Sequence, residues 1–338
     1  MRAAWYDRPG PAGDVFVIGD MPRPCPEAGE VLVHIKASGI NPSDYKHRGN
    51  FAGNGIATRM VPHSDGAGII EQVGADVPKS WLGKRVWLWN AVFRHGYAPP
   101  GPREAGTAAE YVALPLQNVA VLPNNVSFEI GACLGVPGFT AYAAVYADGD
   151  PRGKTIFIQG GAGAVGELAV QLASSAGATV VATVSSAQKA ERARTSGAHY
   201  VIDYREQDVV KVMSDIFPSG VDQIIEVDFS ANIEMDVKLL KHYGLIVSYS
   251  STSNRFPSIP YYALQFKGAS IKTLQIFTLP DIERNAAVKT LSAALKAGGL
   301  RPTIAKSFPL DRIAEAHTFA EQGPDGNVVL SGPGEEFI

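Results

Sequence analysis

Gly161-Ala162-Gly163-Ala164-Val165-Gly166 stands between an apolar run, TIFIQG, and an alanine-rich stretch that ends near Ala176. The spacing is G-x-G-x-x-G, placed after a strand pattern and at the opening of a helical one, where it has a mechanical meaning. The first glycine allows a tight turn, the second lets a pyrophosphate approach the main chain, and the third lets the helix pack on the strand. Ala164 and Val165 begin that helix, and its N–H groups and positive end suit phosphate oxygens. A plain strand–helix turn can also carry these glycines, but the strand before and the helix after favour a dinucleotide.

The end of the next strand, TVVATV, selects between dinucleotides. An acidic residue there binds the ribose 2′-hydroxyl of NAD; this chain has Ser185 and Ser186, then Lys189 one turn on. Hydroxyls can donate to a 2′-phosphate and an ammonium can neutralise it, whereas a carboxylate would repel it. Tyr204, after the third strand, is in reach of the adenosine end. These residues point to NADP(H), although a helix-capping serine and a surface lysine would give the same letters. Ser250 follows the strand LIVSYS, whose carboxyl end should border the crevice where such sheets bind ligands.

The elements that must position these residues fall into two textures. Up to about residue 125 the chain is rich in Val, Ile, Gly and Pro, and EVLVHIKASGI, GAGIIEQVG, GKRVWLWN and AAEYVALP read as strands of a mostly antiparallel β domain. Residues 93–106, FRHGYAPPGPREAG, lack apolar periodicity and read as a long loop. Arg94, His95 and Tyr97 on it suit either a substrate lid or a surface insertion. From about residue 127 strands and helices alternate: a helix with a glycine-proline break, then helices over 209–217 and 233–240, a strand over 270–277 and a helix over 281–298. That alternation predicts a parallel sheet with helices on both faces, so the fold class is α/β. The last segment reads as strand, helix, turn and strand, and is expected to rejoin the first domain.

Bulk properties narrow the classes. A chain of 338 residues exceeds what one core usually serves. A net charge of −3 offers no basic field for nucleic acid. No apolar run approaches the roughly 20 residues of a membrane span, and MRAAWYDRPG lacks the apolar core of a signal peptide. Cys25 and Cys133 make neither a disulfide framework nor a zinc knuckle. A cytoplasmic protein with reduced thiols is expected.

Taken together, ASGINPSDYKHRG, PHSDGAGIIEQVG, GTAAEYVALP, GVPGFTAYAAV, GGAGAVGELAVQLA, SSAQKAERARTSGAHYVIDYR and GNVVL resemble, in order and over nearly the whole length, the zinc-free quinone oxidoreductases of the medium-chain dehydrogenase/reductase superfamily, the zeta-crystallin-like group. The resemblance implies a GroES-like catalytic domain (residues 1–126 and 280–338) split around a Rossmann domain, a doubly wound parallel sheet (residues 127–279). It also implies an NADPH site and a homodimer formed through the Rossmann domains. It places Asn41 beside the nicotinamide, Tyr45 toward the substrate and Thr140, expected to begin a helix, near the cofactor. The residues alone would also suit a turn asparagine before Pro42, a packing tyrosine and a helix-capping threonine. The resemblance also implies a cofactor contact at Asn327, which stands where many relatives have a lysine.

Zinc members of the superfamily carry a catalytic cysteine at the end of the strand that here leads into ASGINPSD, a region where this chain has Asn41 and no cysteine, and Gly-His-Glu where it reads Pro62-His63-Ser64-Asp65. Two cysteines cannot supply the catalytic and structural sites. His63, Asp65 and His95 lack helical ligand spacing, so no metal is expected and carbonyl polarisation falls to hydrogen-bond donors. The expected activity is hydride transfer from NADPH to a small molecule, a quinone or an enone. A zinc-free alcohol or aldehyde dehydrogenase, or a non-catalytic NADPH-binding sensor or structural protein, stays open on the residues.

Overall fold

In the run EVLVHIKASGI, alternate residues share a face, and Val31, Val33 and Ile35 enter one apolar cluster with Ile70, Val86, Leu88, Val112 and Leu114. The structure, a computed structural model, describes residues 1–51, 53, 59–93 and 105–332. The chain divides into two compact units, Met1–Pro137 with Arg301–Ile338, and Gly138–Leu300. The first is built on a seven-stranded sheet whose long strand is Glu30–Ile40. That strand pairs antiparallel with Asp65–Val73, Tyr111–Pro115 and Asn327–Ser331. Ile304–Pro309 adds to the edge, parallel to Asn327–Ser331. The strands of the C-terminal segment thus pair into the sheet of the first unit.

The second unit holds a six-stranded parallel sheet. Its strands in spatial order are Tyr200–Asp203, Thr179–Val184, Thr155–Ile158, Val221–Glu226, Leu240–Ser248 and Ser270–Thr273. Consecutive residues are buried on both faces, as in Ile156-Phe157-Ile158 and Val180-Val181-Ala182, the pattern a sheet covered by helices on each side imposes. Strand order reverses between Thr155–Ile158 and Val221–Glu226. In such sheets the carboxyl ends of the strands at that reversal form the ligand crevice, and the glycine turn begins there.

Several boundaries differ from those expected. The units divide at 137/138 and 300/301, not at 126/127 and 279/280. The short helix Phe128–Gly131 packs on the strands Glu30–Ile40, Asp65–Val73 and Arg85–Leu88, so it belongs to the first unit. Leu291 of the helix Asp281–Lys296 packs against Gly138 and keeps that helix in the second. The helix expected over 233–240 runs over Phe229–Leu239, because its first turn is tied back to the next loop by Phe229 N–H to Ser250 O (3.0 Å) and Ser230 N–H to Ser251 Oγ (3.2 Å). The last strand of the sheet stops at Thr273, short of residue 277. The loop reading of residues 93–106 lies, apart from Phe93, Ala105 and Gly106, outside the described residues, and Arg94, His95 and Tyr97 with it. Among the described residues no helix is long and apolar enough to cross a membrane.

Candidate active site

The glycine turn separates three geometries. Gly161 is buried, and a Cβ there would lie 2.5 Å from the Ala182 Cβ on the neighbouring strand. Gly166 is buried too, and a Cβ would overlap the Gly160 carbonyl oxygen. Gly163 is exposed, and the nearest atom to a Cβ is Gly160 O at 3.3 Å. The first and third glycines therefore make room for the protein itself, while the second leaves room beside the main chain. The residue that makes the tight turn is Gly160, at φ +65°, one position before the motif. Its N–H reaches Thr183 Oγ1 (3.0 Å) and that of Gly161 reaches Thr183 O (2.9 Å), which pins the turn to the next strand. Gly163 is the N-cap of the helix Ala164–Ser175 and no side chain caps that end, so the first-turn N–H groups of Ala164, Val165 and Gly166 suit an anion.

The adenosine end combines both readings of its serines. Ser186 caps the helix Ala187–Thr195 by accepting from Lys189 N–H (3.3 Å). Its hydroxyl proton is not used in that bond. Lys189 Nζ donates to Ser185 Oγ (3.3 Å), which brings an ammonium and two hydroxyls together. Tyr204 is 51% exposed, and its N–H donates to Val184 O (3.1 Å), so it stands next to Ser185 across the strands.

Ser250 lies past the carboxyl end of Leu240–Ser248, with Oγ 3.0 Å from Thr252 Oγ1. Thr140 is buried inside the helix Val136–Val145 and does not begin it. The helix starts earlier because Pro137 falls in its first turn, where a missing N–H costs nothing. Asn327, in the first unit, gives its Nδ2 to Thr303 O (2.9 Å).

The first unit gathers a second cluster. Asn41 follows the strand Glu30–Ile40 and is the N-cap of the helix Pro42–Arg48; its main-chain N–H donates to Asp44 Oδ2 (2.7 Å), and Pro42 occupies the first helical position. The N–H groups of His63 and Ser64 also reach the Asp44 carboxylate. His63 lies at φ +74°, a left-handed conformation that helps successive N–H groups face one anion. Burial nonetheless raises the Asp44 pKa to about 7. The Asn41 side chain also reaches Asp65: its Nδ2 donates to Asp65 Oδ2 (2.8 Å), which also accepts from Val136 N–H (2.7 Å). Asp65 is fully buried and its carboxyl is held well above the usual range by desolvation. Tyr45 is half-buried on the same short helix, and burial, with help from Glu321 and Asp44, raises its pKa.

Below Asn41 runs a directed chain of hydrogen bonds. Thr107 Oγ1 donates to Asp65 O (2.6 Å) and so accepts from Ser38 Oγ (2.6 Å). Ser38 then accepts from His63 Nδ1 (2.8 Å), which leaves His63 Nε2 to accept from His317 Nε2 (2.9 Å). The chain ends on the buried, unpartnered His317 Nδ1. Burial lowers the His63 pKa to about 3 and pushes that of His317 well below its ordinary value, His63 and Arg48 adding to the effect.

These donors do not fit zinc. Both ring nitrogens of His63 are engaged, Asn41 presents a carboxamide, and no group of three or more His, Cys, Asp or Glu among the described residues could hold a metal ion.

Comparison with known proteins agrees with this architecture. Residues 27–124 match the alcohol dehydrogenase GroES-like domain family, and residues 164–293 the zinc-binding dehydrogenase family. The quinone oxidoreductase of Lama guanicoe is 30% identical over 315 residues, 92% of this chain and 91% of the relative. The 2-methylene-furan-3-one reductase of Solanum lycopersicum is 30% identical over 306 residues, 89% and 71% of the two chains. Among solved structures, the Escherichia coli quinone oxidoreductase complexed with NADPH superposes with a TM-score of 0.84, at 23% identity, over 98% of this chain and 100% of that one; this likeness concerns the fold. The chain belongs to the zinc-free quinone oxidoreductase group of the medium-chain dehydrogenase/reductase superfamily. It is an oxidoreductase with NADP(H) as its cofactor.

Proposed function

We propose that the chain passes hydride from NADPH to electron-poor conjugated carbonyl compounds, quinones or enones, without a metal. The observation that carries this reading is the exposed Gly163 at the uncapped start of the helix Ala164–Ser175. In this reading the N–H groups of Ala164, Val165 and Gly166 hold the pyrophosphate, while Gly161 and Gly166 shape the turn. Ser185, Ser186 and Lys189 hold the 2′-phosphate through charge-assisted hydrogen bonds, Tyr204 covers the adenosine, and Thr140 and Ser250 border the cofactor. Asn327 spends its amide donor on Thr303 O, which favours a structural part for it.

Bound NADPH supplies the hydride. The chain's own part falls to Asn41 and Tyr45, which donate hydrogen bonds to the acceptor oxygen as negative charge grows on it. Tyr45 keeps its phenolic proton because burial and nearby carboxylates raise its pKa, so it can donate and then pass a proton to the reduced product. The test is anaerobic NADPH oxidation by metal-stripped protein with quinones, enones and simple ketones, and NADH as the control. Reduction of conjugated acceptors with NADPH preference supports the reading. Tight binding with no acceptor ever reduced would make the chain a binding protein, and turnover confined to simple ketones a zinc-free alcohol dehydrogenase.

The same reading makes the chain a homodimer in the cytoplasm, where the thiols of Cys25 and Cys133 stay reduced. All four residues of the edge strand Ser270–Thr273 are exposed, and Tyr243, Tyr261, Tyr262 and Phe266 are 87%, 61%, 70% and 77% exposed. An uncovered edge strand among exposed aromatics suits the same surface of a second copy.

A further inference from the structure

Asp65 is anchored beside Asn41 and has no part in the reading above. Its carboxyl rests on the main chain at Gly135–Val136: the Val136 N–H donates to Oδ2 (2.7 Å), and a Cβ on Gly135 would occupy the place of Oδ1. Gly39, its cross-strand neighbour, carries no side chain to crowd it. Onto this fixed Oδ2 the Asn41 amide delivers one of its N–H bonds (2.8 Å). The group lies at 0% exposure, and Oδ1 has no hydrogen-bond partner. A carboxyl left partly unsatisfied at such burial is costly and calls for an explanation. What it does is remove a freedom. An asparagine amide can rotate and present either end, and only an acceptor fixed in place decides which end faces away.

We propose that Asp65 is a positioning residue: by holding one N–H of Asn41, it sets the direction of the second N–H, the group that meets the acceptor. The inference rests on the reading of Asn41 as a donor to substrate. Asp65 itself touches no substrate and transfers no proton, and its neutral form serves as well as its ionised one, since Oδ2 accepts in both. Conversion to an amide is thus compatible with the role, and loss of the acceptor is not.

The experiment is a double-mutant cycle on the full chain, reading turnover of the best acceptor, the NADPH dissociation constant and the melting temperature. Asp65→Leu is expected to lower kcat by on the order of 10²-fold, the effect of a misplaced reacting group, with the NADPH dissociation constant unchanged. Asp65→Asn, which keeps an acceptor for Asn41 and Val136, is expected to restore most of that loss. In an Asn41→Ala background Asp65→Leu is expected to cause no further loss, because the group it orients is gone. Gly135→Ala, which displaces the carboxyl without removing it, repeats the test if Asp65→Leu does not fold, and its kcat defect is also expected to vanish in the Asn41→Ala background. Equal losses in both backgrounds, or Asp65→Asn as slow as Asp65→Leu while folded, would overturn the proposal and leave Asn41's part intact. Wild-type turnover in Asn41→Ala would overturn the reading of Asn41 itself.

Discussion

Replacing the motif glycines one at a time separates the cofactor's space from the protein's own. Alanine at 166 puts a methyl into the Gly160 carbonyl, and at 161 puts one 2.5 Å from the Ala182 Cβ. Carbon atoms prefer roughly 3.5–4.0 Å, so about 1 Å must be absorbed by two packed strands or by the turn. Overpacking of this kind costs about 1–3 kcal/mol, and for domains of this size each kcal/mol lowers Tm by roughly 2–4 °C. Alanine at 163 meets Gly160 O at 3.3 Å, a contact that a few tenths of an ångström relieves. Its backbone, φ −81° and ψ 171°, is ordinary for alanine. The loss of glycine at a cap and the smaller unfolded-state entropy of alanine oppose each other and are each within about 1 kcal/mol. Apo Gly163→Ala is therefore expected to melt near the wild type, while its methyl blocks the approach of a pyrophosphate to the helix N–H groups. Losing one hydrogen bond to a charged group costs about 1.5–3 kcal/mol, which is roughly a 10- to 100-fold rise in the NADPH dissociation constant. Thermal melting of the apo proteins with fluorescence titration of NADPH measures both quantities. The reasoning fails if Gly163→Ala binds NADPH like the wild type, or if it melts as early as Gly166→Ala.

Three further outcomes are expected. Lys189→Ala raises the dissociation constant of NADPH and leaves that of NADH alone; an equal change for both, by the same titration, would take the 2′-phosphate from Lys189. In the second unit Gln159 Nε2 bridges Glu226 Oε2 (2.6 Å) and Asp236 Oδ1 (2.7 Å), and burial, with Glu226 beside it, raises the Asp236 pKa from 3.8 to about 9. The folded state then keeps a proton that the unfolded chain releases, so this group's contribution to stability is fullest below about pH 4 and is lost as pH rises to about 9. Asp236→Asn reduces that downward slope in urea unfolding measured across this range, and an unchanged slope contradicts the assignment. His63 and His317 act in the opposite sense: both stay neutral when folded, so their contribution is present above pH 6.5, the ordinary histidine value, and is lost as pH falls toward 3. His317→Gln, whose amide can still donate to His63, flattens the acid limb of the same curve.

What could be read from the sequence is what lies close together along it. Gly161 to Gly166 and Ser185 to Lys189 are local patterns whose partners sit on the same or the adjoining element, and their geometry followed from spacing. One local signal went unread: Asn41-Pro42-Ser43-Asp44 has the spacing of a helix start with an acid closing the cap. It would have marked the helix Pro42–Arg48 and the anchoring of Asn41's main chain. The glycine of the tight turn, Gly160, was masked by the motif beginning one residue later. The pairings of Asn41 with Asp65 and of His63 with His317 join residues 24 and 254 positions apart. No periodicity encodes them, because they exist only after the strands Glu30–Ile40 and Asp65–Val73 pair and the C-terminal helix Ile313–Glu321 returns to the first unit. The unit boundaries escaped for the same reason, being set by what the helices at 128 and 281 pack against.

The central claim is direct hydride transfer to a conjugated acceptor, and an isotope tests it most closely. NADPH deuterated at the nicotinamide C4 hydride position is turned over anaerobically with a cyclic enone by metal-stripped protein, and the product is read by NMR. The account expects one deuterium on the carbon β to the carbonyl, and a proton from solvent at the α carbon. Reduced product without deuterium at the β carbon, or deuterium on the carbonyl carbon of an allylic alcohol, would contradict it.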